Sequence, residues 1–500
     1  MIASSPLRLA MLAGCGLASS IVYLYFFTRP YPVWTGIEKP LQHFGTLSGG
    51  SPAAVAQVAA AIGLLFAIYL LAIRLSGSVE GSRAGLLILF AGGALSALSL
   101  LFMYPIFSLD VFYYMDADRI WSVYRENPFI VPPLQAAHDP FFPYTRWGHY
   151  PLPYGPLWPW ISAATSSFGV GEIQPTLLAF KGLGILCYLT CLPLVAWASA
   201  GLQPRRSVTS LCVFAWNPLV LLELAGGAHN DAVALVPLIA AVGLWLRGAG
   251  AGATLGLMLS ILVKATAVLA APGLLWASAH RAIQGGRFPA WAATHLVPAL
   301  VLLIAAWLPF WPGFWRSQTQ EAGQYYQSIS SLAAPLLGAT TNPLPMRVFQ
   351  VALLLLFGFL YFTHRNTLSE EGRPALNALW TLTSTYFLVV TPFFSAWYML
   401  WPTLYAAILA ERRTTVLTTL LCLGAFSTYF VQFVIRPAFT LDASAANALG
   451  LLAVAGPVLL GLLVMQLASH SAWHPSTQAL NGRRGYRNRP PDPAMAVTPE

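Results

Sequence analysis

Apolar stretches of membrane-spanning length follow one another along almost the whole chain. They lie near 9–27, 54–73, 85–107, 176–199, 208–224, 232–247, 252–263, 266–279, 291–311, 346–363, 377–393, 396–410, 414–434 and 448–467. A helix needs about 20 apolar residues to cross a bilayer. Two of these stretches, 252–263 and 266–279, are too short for ordinary spans and read as a broken or tilted pair. The chain therefore predicts an all-α polytopic membrane protein with about fourteen transmembrane helices, twelve at the lower bound. Apolar residues make up 57% of the 500 and charged residues 9%, which removes the soluble classes, where about a quarter of residues are charged.

The net charge of +9 does not point to nucleic acid, because the basic residues sort by side. With the N-terminus in the cytoplasm, Arg8, Arg74, Arg83, Arg205, Arg206, Arg247, Arg281, Arg287, Arg365, Arg373, Arg412, Arg413 and the tail cluster Arg483, Arg484, Arg487 and Arg489 all fall inside. That is the positive-inside pattern, and it places both termini in the cytoplasm. The sorting requires that 155–169 does not cross, so GPLWPWISAATSSFG is expected as a helix lying in or re-entering the outer face.

Cys15, Cys187, Cys191, Cys212 and Cys422 all sit in apolar stretches and read as small core residues, with no disulfide framework and no metal site. Leu12-Ala13-Gly14-Cys15 resembles a lipoprotein cleavage box, but the apolar run before it is too short for a signal sequence. Residues 1–469 form one membrane domain, and the polar tail 470–500 is expected to be disordered.

Polar chemistry concentrates in the external loop 108–175, which follows the third apolar stretch; a second external loop spans 312–345. Asp110, Asp116, Asp118, Arg119, Glu126, His138, Asp139, Arg146 and His149 gather there among Tyr, Trp and Pro, so the loop is built to handle a polar ligand. LDVFYYMDADRIWSVY reads as a helix with Asp110, Tyr114, Ala117, Trp121 and Tyr124 on one face. A carboxylate at the membrane boundary suits a general base acting on a hydroxyl. Asp110 could equally cap the end of a span among lipid headgroups. Asp116 and Asp118 read more simply as solvated or paired with Arg119, though Asp-x-Asp could hold a divalent ion. Tyr113, Tyr114, Asp118, Arg119, His138 and Tyr154 are candidate substrate contacts. Loop histidines are commonly surface residues, and the aromatic residues fit an interfacial belt as well as ligand stacking.

Further along, AWNPLVLLELAGGAHNDAVALVPL places Asn217, Glu223, His229, Asn230 and Asp231 in an apolar run. Intramembrane ionisable groups are costly and usually functional. Asp231 reads as a helix N-cap, and Glu223 needs a partner, for which Lys181 in the neighbouring span is one candidate. Lys264 interrupts a helix, either snorkelling to the interface or held for a lipid phosphate. Arg316, Glu321, Tyr325, Tyr326 and Arg436 are further external candidates for phosphate or acceptor contact.

Three spans, Asp-Val-x-Tyr-Tyr at Asp110–Tyr114, Asn-Pro-Phe at 127–129, Tyr-Gly-Pro-Leu at 154–157, Trp-Asn-Pro at 216–218, His-Asn-Asp at 229–231 and an isolated Lys264 come in this order. The order resembles the GT-C superfamily of integral-membrane glycosyltransferases. Within it, the likeness is to the bacterial polyprenyl-phosphate-mannose-dependent α-mannosyltransferases and glycosyltransferase family 87, over roughly residues 85–410. The resemblance implies an inverting transferase with a lipid-phosphate sugar donor, mannose by preference. It implies a glycan or glycolipid acceptor, an active site on the periplasmic or extracellular face of the plasma membrane, and Asp110 as catalytic base. The second loop acid of such enzymes is displaced here to Asp116 and Asp118. No cofactor is expected; a divalent metal has no dedicated ligand set. The competing reading is a transporter or flippase of polyprenol-linked sugars, but transporters put polar groups at the midplane, often with inverted repeats.

Overall fold

The computed structural model describes residues 6–313, 325–339 and 341–471. Secondary structure in these residues is helical, with two isolated bridges, Pro32 to Met103 and Tyr326 to Phe393. All fourteen apolar stretches are helical over most of their length. Seven helices are long and apolar enough to cross a membrane: Pro6–Thr28, Pro52–Ser76, Ile173–Leu202, Phe288–Phe310, Pro343–Thr363, Arg412–Ala438 and Ala443–Gln466. The pair Pro204–Ala215 and Pro218–Gly226, bent by 55°, makes an eighth if counted as one span. Arg83–Ser99, Asp231–Trp245 and Gly250–Val263 are shorter apolar helices.

Local chemistry sets the starts. Ser51 and Asn342 cap the helices whose first residues are Pro52 and Pro343, accepting from the backbone N–H of Ala54 and Leu344. The bend in the eighth span falls at Asn217-Pro218, where Asn217 accepts from the N–H of Leu219.

Burial divides the helices into two groups. Asp231–Trp245, Leu400–Leu409 and the bent pair pack on most sides, whereas Phe288–Phe310 and Pro343–Thr363 are only 17% buried and Ala443–Gln466 11%. The second group exposes Val301, Leu355 and Leu452 and is apolar all round, the pattern of a lipid-facing helix. Helices Pro6–Tyr23 and Arg83–Ser99 meet at Gly16 and Gly92, with the Trp216 indole laid against both glycines. A Cβ at Gly92 would stand 2.6 Å from that ring.

The arginine-bearing turns gather at one end of the bundle. Glu80 accepts from the N–H groups of Val208 and Thr209. Arg206 donates to Ala410, Arg373 to Glu411 and Gln203, and Arg281 pairs with Glu371. Helix Arg412–Ala438 runs from this end to the opposite one, where Tyr429 reaches Glu223. The segment 155–169 forms the short helix Trp158–Ser166 and one further turn, too short to cross.

Candidate active site

Asp110 is the first residue of helix Asp110–Ser122, where the unpaired N–H groups of the first turn favour an anion. Its own N–H is held by Ser108 Oγ. Trp147 Nε1 donates to one carboxylate oxygen at 3.2 Å, and His229 Nδ1 lies 3.9 Å from the other. One side of the carboxyl faces a cavity of about 560 Å³, lined also by Tyr113, Trp147, Tyr154 and Lys264.

The His-Asn-Asp block forms the wall behind it. Residues Leu222–Gly226 make a wide turn, and Lys181 Nζ donates to the carbonyls of Ala225 (3.0 Å) and Gly226 (2.6 Å), fixing the chain that leads to His229. The expected Lys181–Glu223 pair does not form. Glu223 instead accepts from Tyr429 Oη at 3.0 Å and approaches His229 Nε2 to 3.2 Å without hydrogen-bond alignment. The His229 ring is stacked on Trp397 at 4.2 Å between centroids. Tyr114 Oη stands 3.4 Å from both His229 Nδ1 and Asn230 Oδ1.

Asp231 does not cap its helix, because its carboxylate is taken up elsewhere. Lys264 Nζ donates to Asp231 Oδ2 at 2.6 Å and to Asn230 Oδ1 at 3.2 Å, and Trp401 Nε1 donates to Asp231 Oδ1 at 2.8 Å. Lys264 is extended between helix Gly250–Val263 and the following 3₁₀ turn Ala265–Ala270, and this break turns its ammonium inward over the Tyr154 ring. Ammonium carries three N–H donors, and two are used here. Lys264 is buried and ion-paired, so the snorkelling alternative fails.

Asp110, Tyr113, Tyr114, Tyr154, His229, Asn230, Asp231 and Lys264 are thus brought together. Asp118, Arg119 and His138 are not; at 1.5 Å rise per residue, Asp118 sits about 12 Å further along the helix than Asp110. Asp118 is buried and accepts from Ser122 and Ser162. Arg119 pairs with Asp139 at 2.7 Å, and Tyr124 donates to the same carboxylate, while His138 stands at the edge of that cluster. These residues pin the external loop to its helix. Asp116 is buried too, with Oδ2 unpartnered, so neither acid is solvated or paired with Arg119 as the sequence suggested. Among the described residues, no three His, Cys, Asp or Glu side chains gather as a metal-ion cluster. Arg316 and Glu321, the tail arginines, and all of the tail beyond residue 471 lie outside the described residues.

Sequence reasoning missed Trp147, Trp397, Trp401 and Tyr429. An isolated Trp or Tyr in an apolar segment or an aromatic-rich loop carries no signal of its contacts.

Burial, with the charge of Asp139 adding and that of Arg119 opposing, pushes Asp116 up to about 7; burial pushes Asp118 up to about 6. An Asp in the unfolded chain titrates near 4. The folded state therefore keeps the Asp116 proton longer, and stability falls as pH rises between about 4 and 7. Asp116→Asn should raise the melting temperature by several degrees near pH 8 and much less near pH 5. A gap that is the same at both pH values, or reversed, would refute this assignment.

A profile of the family described as "Alpha-(1->6)-mannopyranosyltransferase, N-terminal domain" matches residues 26–280, just over half of the chain. The chain is 30% identical over 185 residues to alpha-(1->6)-mannopyranosyltransferase A of Mycobacterium tuberculosis, covering 35% of this chain and 34% of that protein. With alpha-(1->6)-mannopyranosyltransferase A of Corynebacterium glutamicum the identity is 26% over 194 residues, 36% of this chain and 37% of that one. With the B enzyme of C. glutamicum it is 26% over 381 residues, 66% and 60%. The matches thus span between about a third and three fifths of these relatives' lengths. The chain belongs to the alpha-(1->6)-mannopyranosyltransferase family.

Proposed function

We propose that this member of the alpha-(1->6)-mannopyranosyltransferase family moves mannose from a polyprenyl-phosphate donor to a hydroxyl of a glycan or glycolipid acceptor, inverting at the anomeric carbon. The observation that carries this reading is the divided character of one cavity. Asp110, Tyr154 and Lys264 line part of it, and Val268, Leu269, Leu354, Phe357 and Phe387 line the rest. Leu354 belongs to the helix Pro343–Thr363 and is 54% exposed, so the apolar part opens toward the lipid-facing surface. A ligand with a polar head and a long hydrocarbon tail matches that division. Each buried methylene is worth about 0.8 kcal/mol, so such a donor stays in the bilayer and the reacting centre must meet it at the boundary.

In the proposed step, Asp110 takes the proton of the acceptor hydroxyl as its oxygen attacks the anomeric carbon. The bond from that carbon to the phosphate oxygen breaks, and the phosphate leaves with the electron pair. Lys264 offers its remaining N–H to the developing charge. One carboxylate suffices for such a single displacement, whereas a glycosidase needs two at a set separation.

The arginine-rich end of the bundle is read as cytoplasmic, which puts Asp110 on the periplasmic or extracellular side of the plasma membrane with both termini inside. With the three shorter apolar helices and the helical stretches 266–279, 377–393 and 396–410 read as further embedded segments, the count lies between twelve and fourteen.

Labelled polyprenyl-phosphate mannose, glucose and arabinose, each incubated with the purified full chain and a mannan acceptor, test the proposal. Label should reach the acceptor from the mannose donor. Movement of the lipid-linked sugar across vesicles without transfer would instead establish a transporter.

A further inference from the structure

A second pocket of about 470 Å³ lies beside the cleft. Its polar lining is His43, Arg146, Tyr326, Gln432, Arg436 and Thr440, and among the described residues no carboxylate faces it. Arg146 is the chain neighbour of Trp147, which holds Asp110, and Tyr326 is stacked at 5.0 Å on Phe393, which lines the cleft. The two cavities therefore share a wall.

The pocket offers donors in excess. No described carboxylate pairs with either guanidinium; Arg436 has a long 3.4 Å contact to Gln432 Oε1, and Arg146 lies over the Trp147 ring. Among the described residues, buried Gln432 Nε2 has no partner. His43 Nδ1 accepts from the N–H of Gly45, so in the neutral ring Nε2 carries the proton and donates. The same ring is stacked on Phe433 at 4.5 Å, which fixes its plane. Guanidinium forks match the oxygens of phosphate, and bonds of this kind are about twice as strong as neutral ones. The acceptors in the described lining are neutral, the Tyr326 and Thr440 hydroxyls and the Gln432 amide oxygen, whereas two of its donors are guanidinium cations, a balance that favours an anion over a neutral sugar.

We propose that this pocket is a phosphate-binding site separate from the donor's, for an organophosphate held beside the Asp110 cleft. Its position suits a lipid headgroup. Arg436 stands near the end of helix Arg412–Ala438 opposite Arg412, where a long apolar helix gives way to polar chain. A water-soluble phosphate shares the chemistry, and the experiment separates the two sources. The site is read by binding, so its failure is independent of the transferase assignment.

The full chain, purified in a phosphate-free maltoside detergent, is probed by native mass spectrometry with dioleoylphosphatidylglycerol and by equilibrium binding with inorganic phosphate. Arg146→Gln with Arg436→Gln should weaken lipid retention by at least about tenfold, the loss expected when two charge-assisted contacts are removed. Thr440→Glu sets a carboxylate at the exposed rim, where folding is least at risk, and should act the same way. Arg412→Gln with Arg413→Gln, at the far end, should not. Retention of the lipid without competition by inorganic phosphate identifies a headgroup site; equal binding of inorganic phosphate identifies a soluble ligand. Neither probe binding the wild type, or both binding the pocket variants as well as the wild type, overturns the proposal.

Discussion

Asp110→Asn should lower sugar transfer by on the order of 10²–10⁴-fold while donor affinity stays nearly unchanged, because removing a general base costs the proton transfer and little else. The substitution is close to silent structurally. The amide oxygen can still accept from Trp147 Nε1, and Asn is tolerated in the first turn of a helix. Its δ-amide can still stand near His229 but cannot take a proton. The informative measurement is therefore paired: single-turnover transfer and donor binding on the same preparation. A variant that binds the donor and still transfers at more than a tenth of the wild-type rate would remove Asp110 as the base. Loss of both together would reduce it to a structural or binding residue. The proposed sidedness is checked separately by placing a cysteine next to position 110 and labelling intact cells with an impermeant reagent.

Lys264→Met carries the second large effect, and the Lys264–Asp231 pair makes it separable into structure and function. Removing one member of a buried ion pair leaves the other charge uncompensated, at a cost of about 3–5 kcal/mol. Here the orphan is the Asp231 carboxylate, fully buried and left, among the described residues, with the Trp401 indole N–H as its one side-chain donor. The single variant should show a much lowered melting temperature in detergent. Adding Asp231→Asn removes the orphan charge, keeps an oxygen for Trp401 and should restore most of the stability, as replacement of whole buried pairs commonly does. Donor binding should not return, because the donor phosphate has lost its cation. A double variant that is stable and binds the donor like the wild type would show that Lys264 serves only the fold.

Asp110 and Lys264 stood out in the sequence for the same reason: each is an ionisable group where the apolar pattern makes one expensive. His229 and Asp231 were found by that argument too, with the polar Asn230 between them, and the structure brings all five into one site. The argument said nothing about pairing. It joined Lys181 to Glu223, yet Lys181 closes the carbonyls of Ala225 and Gly226, and Glu223 goes to Tyr429, 206 residues away. It read Asp116 and Asp118 as solvated or paired with Arg119, yet both are buried and Arg119 reaches Asp139 instead.

The sequence alone determined that the chain is helical and membrane-embedded, and at which end of the bundle most of its arginines lie. Those properties follow from local composition: lipid leaves a backbone no partner but itself, and hydropathy is read residue by residue. Tertiary structure decided which polar groups meet. The stacking of His229 on Trp397, the hold of Trp147 on Asp110 and the donor-rich pocket of Arg146 and Arg436 each join segments far apart in the chain. A buried charge announces in sequence that it needs a partner, but its choice is fixed by the three-dimensional packing of helices, which no one-dimensional spacing encodes.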